Sequence, residues 1–140
     1  MIRQLFSIGA VLVALSLSGV GSVVAADNCN NPQTQQLMNT CAQKSYQKAD
    51  SELNKLYKQI ETRFSDDHES LKLLVKTQRA WIGYRDAECT FSASASAEGS
   101  IYPLIYNQCL EAQTQSRVET FKTYLNCEEG DMSCPVPAAD

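Results

Sequence analysis

The sequence is poor in the residues from which most catalytic and metal sites are built. It has one histidine, His68, and it contains neither a glycine-rich phosphate-binding loop nor the G-x-S-x-G turn of serine hydrolases. Its six cysteines include no C-x-x-C pair, the closest two being Cys127 and Cys134, which argues against a zinc site. These absences predict a protein that is not an enzyme and that uses neither a cofactor nor a metal.

Positive charge is also in short supply. The 140 residues contain 12 Lys and Arg against 16 Asp and Glu, so that without Arg3 the net charge is −5. Nucleic-acid binding depends on neutralising phosphates with basic side chains, and this balance therefore excludes a strongly basic nucleic-acid-binding protein. The length suits one domain with a modest core, and no internal repeat is visible.

The first 26 residues have the features of a secretory signal peptide. Arg3 precedes a largely apolar run over 5–17, and Val-Ala-Ala at 24–26 resembles a signal-peptidase site. A retained membrane anchor is the alternative, but small and polar residues interrupt the apolar segment. A lipoprotein is disfavoured because Cys29 follows an Asp-Asn pair rather than a small residue. We expect no stable membrane anchor and a mature chain that begins at Asp27, in the periplasm or secreted.

The cysteine content agrees with export. All six cysteines lie in the expected mature part, and an even number in a short exported chain indicates disulfide bonds. Six cysteines allow fifteen pairings, of which the helix pattern described next favours the sequential set. That set comprises Cys29–Cys41, Cys89–Cys109 and Cys127–Cys134.

Residues 27–126 are predicted to form an all-α domain. Apolar residues recur there at steps of three or four over long segments, which is the period of an amphipathic helix. Short connections between these segments predict an antiparallel three-helix hairpin or bundle with long helices, stapled by disulfides. The helices are expected at 34–64, from the acidic turn at 65–69 to about Cys89, and from Ser100 to about Asn126.

Polar residues mark the expected helix starts. Ser65 or Asp66 can cap the second helix, and Asp66 with Glu69 has the spacing of a capping box. A catalytic carboxylate pair is the alternative for the acidic cluster at 65–69, but charged caps at helix starts are common and favourable. Ser100 can cap the third helix, with Pro103 tolerated in its first turn.

Two segments are expected to lie outside the helices. Residues 90–99 alternate Ser and Ala and are predicted to form a loop, because such small residues bury too little surface to hold a strand. Residues 127–140 form an acidic tail with two prolines, in which only Cys127 and Cys134 are expected to order part of the chain. This composition predicts a tail that does not pack against the helices.

A polar pair interrupts the apolar stripe of the second helix. Gln78 and Arg85 share a face with Trp81, and the first helix offers Asp50 and Asn54, one turn apart, as partners. We predict an Asp50–Arg85 ion pair and an Asn54–Gln78 hydrogen bond that fix the register of the helices. A binding site is the alternative for these four residues, and the structural role is favoured.

These motifs resemble the LprI-type lysozyme-inhibitor family of small exported helical domains. The resemblance rests on the segments 38–41, 49–57 and 78–89, and it continues through 99–103, Cys109 and the Thr114-x-x-Arg117 motif. It implies a helical fold, an exported protein and, through the lipoprotein from which the family takes its name, inhibition of lysozyme. This chain differs from that lipoprotein in lacking a lipoprotein cysteine, and it adds an acidic tail after residue 126.

Three classes of function follow from these observations. The first is a periplasmic protein that binds and inhibits lysozyme-like enzymes, whose basic surface the net negative charge would attract. The second is another non-enzymatic interaction protein of the envelope, such as a toxin immunity partner or a stress or assembly factor, anchored by tyrosines such as Tyr46, Tyr84 or Tyr106. The third, an enzyme, is disfavoured because His68 lies in a capping turn and no cleft is apparent.

The predicted loop after the second helix is the candidate surface for a protein partner. A disulfide between Cys89 and Cys109 would brace this loop, which could then enter a substrate cleft. A plain connection between helices is the alternative. The sequence indicates no oligomeric state. The candidate contact residues are Phe91, Ser92, Ser94, Ser96 and Glu98.

Overall fold

The computed structural model describes residues 28–139. The expected signal peptide, 1–26, lies outside these residues. Within 28–139 there are three α-helices and no strand, and the predicted all-α class is confirmed. The helices are α1 (Gln35–Arg63), α2 (His68–Ser92) and α3 (Tyr102–Leu125), with a short 3₁₀ helix at Ser94–Ser96 between the last two.

Side chains cap the first two helices. The Thr34 hydroxyl accepts a hydrogen bond from the Leu37 amide at 3.1 Å at the start of α1. The cap of α2 is Asp67, whose carboxylate accepts from the Ser70 amide at 3.0 Å. The prediction of Ser65 or Asp66 was therefore wrong, because the connection needs these residues for a turn in which the Asp67 amide donates to the Phe64 carbonyl.

The start of α3 also differs from the prediction. Ser100 does not cap it; the residue before the helix is Ile101, which already has a helical conformation and makes no side-chain cap. The chain enters through a turn in which the Tyr102 amide donates to the Gly99 carbonyl. The Ser100 carbonyl instead accepts from the Asn39 side chain of α1 at 2.9 Å, which ties this turn to the first helix. Pro103 lies in the first turn, as expected.

The segment predicted as a loop at 90–99 is largely helical. Helix α2 continues to Ser92 and is followed at once by the 3₁₀ helix. No glycine or proline occurs before Gly99 in this segment, and Ala93, only 1% exposed, packs in the interior. The connection is therefore compact rather than protruding.

The core lies mainly between α1 and α3, which pack against each other more extensively than α2 packs against α3. Ile60 of α1 and Phe121 of α3 have no exposed surface. The buried positions of each helix are three, four or seven residues apart, as expected for one stripe along a helix. The main apolar cluster consists of Leu53, Ile60, Phe64, Leu74, Val118, Phe121 and Val136.

Three disulfides staple the fold, and their pairing is the sequential set. Cys29–Cys41 holds the leading segment against α1, Cys89–Cys109 joins α2 to α3, and Cys127–Cys134 closes a small ring in the tail.

No described helix combines the length and apolar character needed to cross a membrane.

The tail packs against the helices, so the prediction that it cannot pack was wrong. Val136 is 4% exposed and belongs to the main apolar cluster with Phe64 and Leu74. The Arg63 guanidinium donates to the Pro137 carbonyl at 3.0 Å. A composition-based argument missed this contact because a single apolar residue, positioned by the Cys127–Cys134 ring, anchors an otherwise polar segment.

Candidate functional site

Arg85 is a buried side chain at the centre of a polar cluster between the helices. Its side chain is 9% exposed, and its Nε and Nη2 atoms lie 2.9 and 2.8 Å from Oδ1 of Asp86. Nη1 lies 3.6 Å from Oδ1 of Asp50 on α1. The predicted Asp50–Arg85 pair is therefore present, but the neighbouring Asp86 makes the shorter contacts.

Aromatic rings extend this cluster across all three helices. The Arg85 guanidinium lies over the rings of Trp81, 5.1 Å from the centroid, and of Tyr46 on α1, at 5.6 Å. Arg117 of α3 lies on Trp81 as well, at 5.9 Å, and on Phe121 at 4.5 Å. We call these five residues the cation–π ladder, because cations and rings alternate from α1 to α3.

The predicted hydrogen bond between Asn54 and Gln78 is absent from the structure. Asn54 donates to Oδ2 of Asp50 at 2.9 Å within its own helix. The Gln78 side chain, 9% exposed, instead accepts from Nε of Arg117 at 3.2 Å. The sequence analysis missed this role of Arg117, because the weak apolar stripe of α3 does not specify how that helix lies against α2. The Thr114-x-x-Arg117 motif of the family resemblance was the available signal.

Burial shifts the pKa of two groups in the ladder. It raises the pKa of the Tyr46 hydroxyl, an effect that the nearby Arg85 cation partly opposes. It lowers the pKa of Arg117, while the Tyr124 side chain acts in the opposite direction. Because the ladder joins all three helices, it is suited to holding them in register.

The five candidate contact residues do not form one open loop. Phe91 and Ser92 lie in the last turn of α2, Ser94 and Ser96 in the 3₁₀ helix, and Glu98 in the turn that follows. The hydroxyls of Ser92 and Ser96 donate to the carbonyls of Cys89 and Ala93, respectively. Phe91 is 75% exposed, and Ser92, Ser94 and Glu98 are also exposed.

Tyr84 extends the exposed surface around Phe91. It is 56% exposed and lies seven residues before Phe91 on α2, so the two residues share a face of the helix, with a backbone rise of about 10 Å between them. Half-buried Glu88 lies between them on this face. We call Tyr84, Glu88, Phe91 and Glu98 the aromatic–acidic patch. Tyr46 and Tyr106 contribute less to the surface, since Tyr46 contacts Arg85 and Tyr106 stacks on Tyr102.

The described residues offer no metal site. No group of three or more His, Cys, Asp or Glu in the segment 28–139 is arranged to hold a metal ion. All six cysteines are in disulfides, which leaves no thiol nucleophile. The site is therefore described by two features, an internal cation–π ladder and an external aromatic–acidic patch.

The fold and these features define a small, disulfide-stapled three-helix domain. The model of the family "Lysozyme inhibitor LprI" matches residues 25–121, and the chain belongs to this family. The uncharacterized protein R02472 of Rhizobium meliloti (strain 1021) is 33% identical over 113 residues, covering 73% of this chain and 81% of that protein.

Two further proteins are similar to this chain. The uncharacterized protein YecT of Escherichia coli (strain K12) is 28% identical over 106 residues, covering 66% of this chain and 65% of its own length. The crystal structure of a DUF1311 family protein from Pseudomonas putida KT2440 matches with a TM-score of 0.59 at 24% identity, covering 64% of this chain and 92% of that one. This structural match supports the fold alone.

Proposed function

We propose that this protein is exported to the periplasm, where it binds and inhibits lysozyme-like enzymes that cleave peptidoglycan. Membership of the lysozyme inhibitor family, over residues 25–121, is the observation that carries the proposal. Three disulfides fit an oxidising compartment such as the periplasm. The excess of acidic residues would increase the rate at which the protein meets a basic lysozyme.

The aromatic–acidic patch is the surface that we propose for the contact. Phe91 and Tyr84 expose large apolar rings, and rings of this kind often dominate the energy of protein interfaces. Glu88, on the same face of α2, and Glu98, in the turn that follows the 3₁₀ helix, add negative charge, which suits a basic partner. Because the Cys89–Cys109 disulfide and buried Ala93 hold the backbone here, the patch would lose little conformational entropy on binding.

Lysis of peptidoglycan by lysozyme tests the proposal. Oxidised protein should slow the lysis in a dose-dependent way, and the effect should saturate near one inhibitor per enzyme. Reduction of the disulfides should abolish the inhibition if the folded domain is required. Full lysis rates with several lysozyme types at excess inhibitor would contradict the proposal and favour a different envelope partner.

Substitutions in the patch test the contact surface separately. Phe91→Ala and Glu98→Ala should each weaken inhibition by about tenfold, because a truncated interface anchor typically loses 1–2 kcal/mol. Met132→Ala and Glu129→Ala are matched controls, since both residues are exposed in the tail. The tail packs near Leu74, which lies towards the start of α2, whereas Phe91 lies at its end. This helix is about 37 Å long, so the control residues are far from the patch. Inhibition that is unchanged by the patch variants but reduced by the controls would move the contact to the tail.

A further inference from the structure

The outer face of α2 carries a strip of exposed apolar side chains. Six large apolar side chains are exposed in residues 28–139, and three of them lie on this one helix face: Leu73, Tyr84 and Phe91. They are 11 and 7 residues apart, close to whole turns of a helix, so they share a face. The buried residues of α2, such as Arg85 and Cys89, point the other way, into the protein. An exposed apolar strip of this kind indicates an interaction surface.

The spacing of this strip is symmetric about residue 82. Leu73 lies nine residues before Ile82 and Phe91 nine residues after it, while Ala80 and Tyr84 lie two residues before and after it. In an antiparallel pair of identical helices related by a two-fold axis, residues at equal distances from the crossing point lie opposite each other. A second copy that crosses at residue 82 would therefore place Leu73 against Phe91 and Ala80 against Tyr84, each pair twice.

Charged residues on one edge of the face follow the same symmetry. Arg79 lies three residues before Ile82 and Asp86 four residues after it. Arg79 is exposed, and its charge reaches the Tyr57 hydroxyl of α1, but within residues 28–139 it forms no ion pair. The Asp86 side chain contacts Arg85 yet remains 48% exposed. The antiparallel register brings Arg79 of each copy to Asp86 of the other, so the face is complementary to itself in charge as well as in shape.

Gly83 adds an independent observation at the centre of the face. A glycine in the middle of a helix destabilises it relative to alanine. Nothing inside the chain requires this glycine, because a Cβ atom built there would have no neighbouring atom within 4 Å. Together with Ala80 and Ala87 it leaves the helix backbone uncovered beside residue 82, where a second helix could approach closely.

We propose that two copies of this protein associate through the outer faces of their α2 helices, antiparallel and crossing beside Gly83. The contact from Leu73 to Phe91 is about 27 Å long and one helix, about 10 Å, wide. This is the small end of specific protein interfaces, so the dimer is weak and reversible. The dimer covers Tyr84 and Phe91 and thereby prevents the aromatic–acidic patch from contacting a lysozyme. This last consequence, unlike the dimer itself, rests on the proposed function.

Sedimentation equilibrium of the oxidised protein, without lysozyme, tests the dimer. The average mass should rise from that of a monomer towards that of a dimer as the concentration approaches millimolar. Gly83→Leu should weaken association more than about tenfold, because a branched side chain would separate the helices at the crossing. Arg79→Glu should weaken it by a similar factor through repulsion from Asp86, whereas Lys55→Glu, the same charge change on an exposed residue of α1, should leave it unchanged. A monomer at all concentrations, or a dimer that both Gly83→Leu and Arg79→Glu leave intact, would overturn the proposal.

A mixing experiment tests the antiparallel register. Leu73→Glu and Phe91→Lys should each abolish self-association, because a charge then faces an apolar side chain at both ends of the contact. An equimolar mixture of the two variants should associate at least about tenfold more tightly than either alone. In the mixed dimer the introduced glutamate faces the introduced lysine at one end, and the native Leu73–Phe91 contact remains at the other. Absence of this rescue, with both variants folded by circular dichroism, would overturn the register. Because no lysozyme is present, a failure of lysozyme inhibition would leave these results untouched.

Discussion

Removal of the Arg85 side chain is the strongest perturbation of the cation–π ladder. Arg85→Ala deletes a hydrogen bond and a close ion-pair contact to Asp86, together with two ring contacts, with Trp81 and Tyr46. Hydrogen bonds to charged groups contribute about 1.5–3 kcal/mol, and the half-exposed Asp86 reduces this to about 1–2 kcal/mol here. Each cation–π contact adds about 0.5–1 kcal/mol. We expect Arg85→Ala to lower the free energy of unfolding by roughly 2–4 kcal/mol.

The two carboxylates should contribute unequally. Asp86→Asn weakens both the hydrogen bond and the ion-pair contact to Arg85 and should cost about 1 kcal/mol. Asp50→Asn removes one contact at 3.6 Å from a partly exposed side chain and should cost about 0.5 kcal/mol or less. Arg85→Lys keeps the charge but loses the planar fork, so its cost should lie between that of Asp86→Asn and that of Arg85→Ala.

Urea-induced unfolding with the disulfides intact measures these differences. The urea concentration at the midpoint should decrease from Asp50→Asn through Asp86→Asn and Arg85→Lys to Arg85→Ala. The slope of the free energy of unfolding against urea concentration should stay unchanged. A double-mutant cycle between Arg85→Ala and Asp86→Asn should show a coupling above about 0.5 kcal/mol. A loss below 1 kcal/mol for Arg85→Ala, or a larger loss for Asp50→Asn than for Asp86→Asn, would refute this account of the ladder.

Three further predictions concern the helix cap, the core and the tail. Hydrogen bonds from Ser70 hold the pKa of Asp67 below its ordinary value of 3.8, so its contribution to stability is present above about pH 4 and is lost as the pH falls through the lowered pKa. Asp67→Asn should keep the cap but flatten the decline in urea midpoint between neutral pH and pH 2, and an unchanged decline would contradict this. Thr114→Val should raise the free energy of unfolding by about 1 kcal/mol, because the buried Thr114 hydroxyl has no hydrogen-bond partner. A lower free energy of unfolding in urea would show that the hydroxyl does have a partner. Val136→Ala should lower stability by about 1–2 kcal/mol and speed amide exchange in the tail, and wild-type exchange would mean that the tail is not anchored there.

The sequence predicted the helices because their signal is local. Apolar spacing located α1 to within a residue at each end, and the disulfide pairing followed from the order of the helices. The ends of α2 were less accurate. Three adjacent polar residues, Ser65, Asp66 and Asp67, can each cap a helix, and the choice among them depends on the turn made with Phe64. The Ser-Ala segment extended α2 because nothing in it stops a helix and Ala93 finds a buried position.

The polar contacts between helices were only partly predictable. Helical spacing brought Arg85 near Asp50, but it could not show that Asp86 would bend back onto the same guanidinium. The Arg117 interaction with Gln78 depends on how α3 lies against α2, which a weak apolar stripe does not specify. The buried place of Val136 was missed for the same reason, because it depends on the path of the tail after α3.

Direct binding to a basic lysozyme, measured by calorimetric titration of the oxidised protein at low and high salt, tests the central claim. The account predicts a saturable one-to-one complex, weaker at high salt because acidic residues assist the encounter. It also predicts about tenfold weaker binding for Phe91→Ala, with Met132→Ala unchanged. Absence of a complex with any lysozyme type tested, with the protein folded and its disulfides formed, would contradict the assignment as a lysozyme inhibitor.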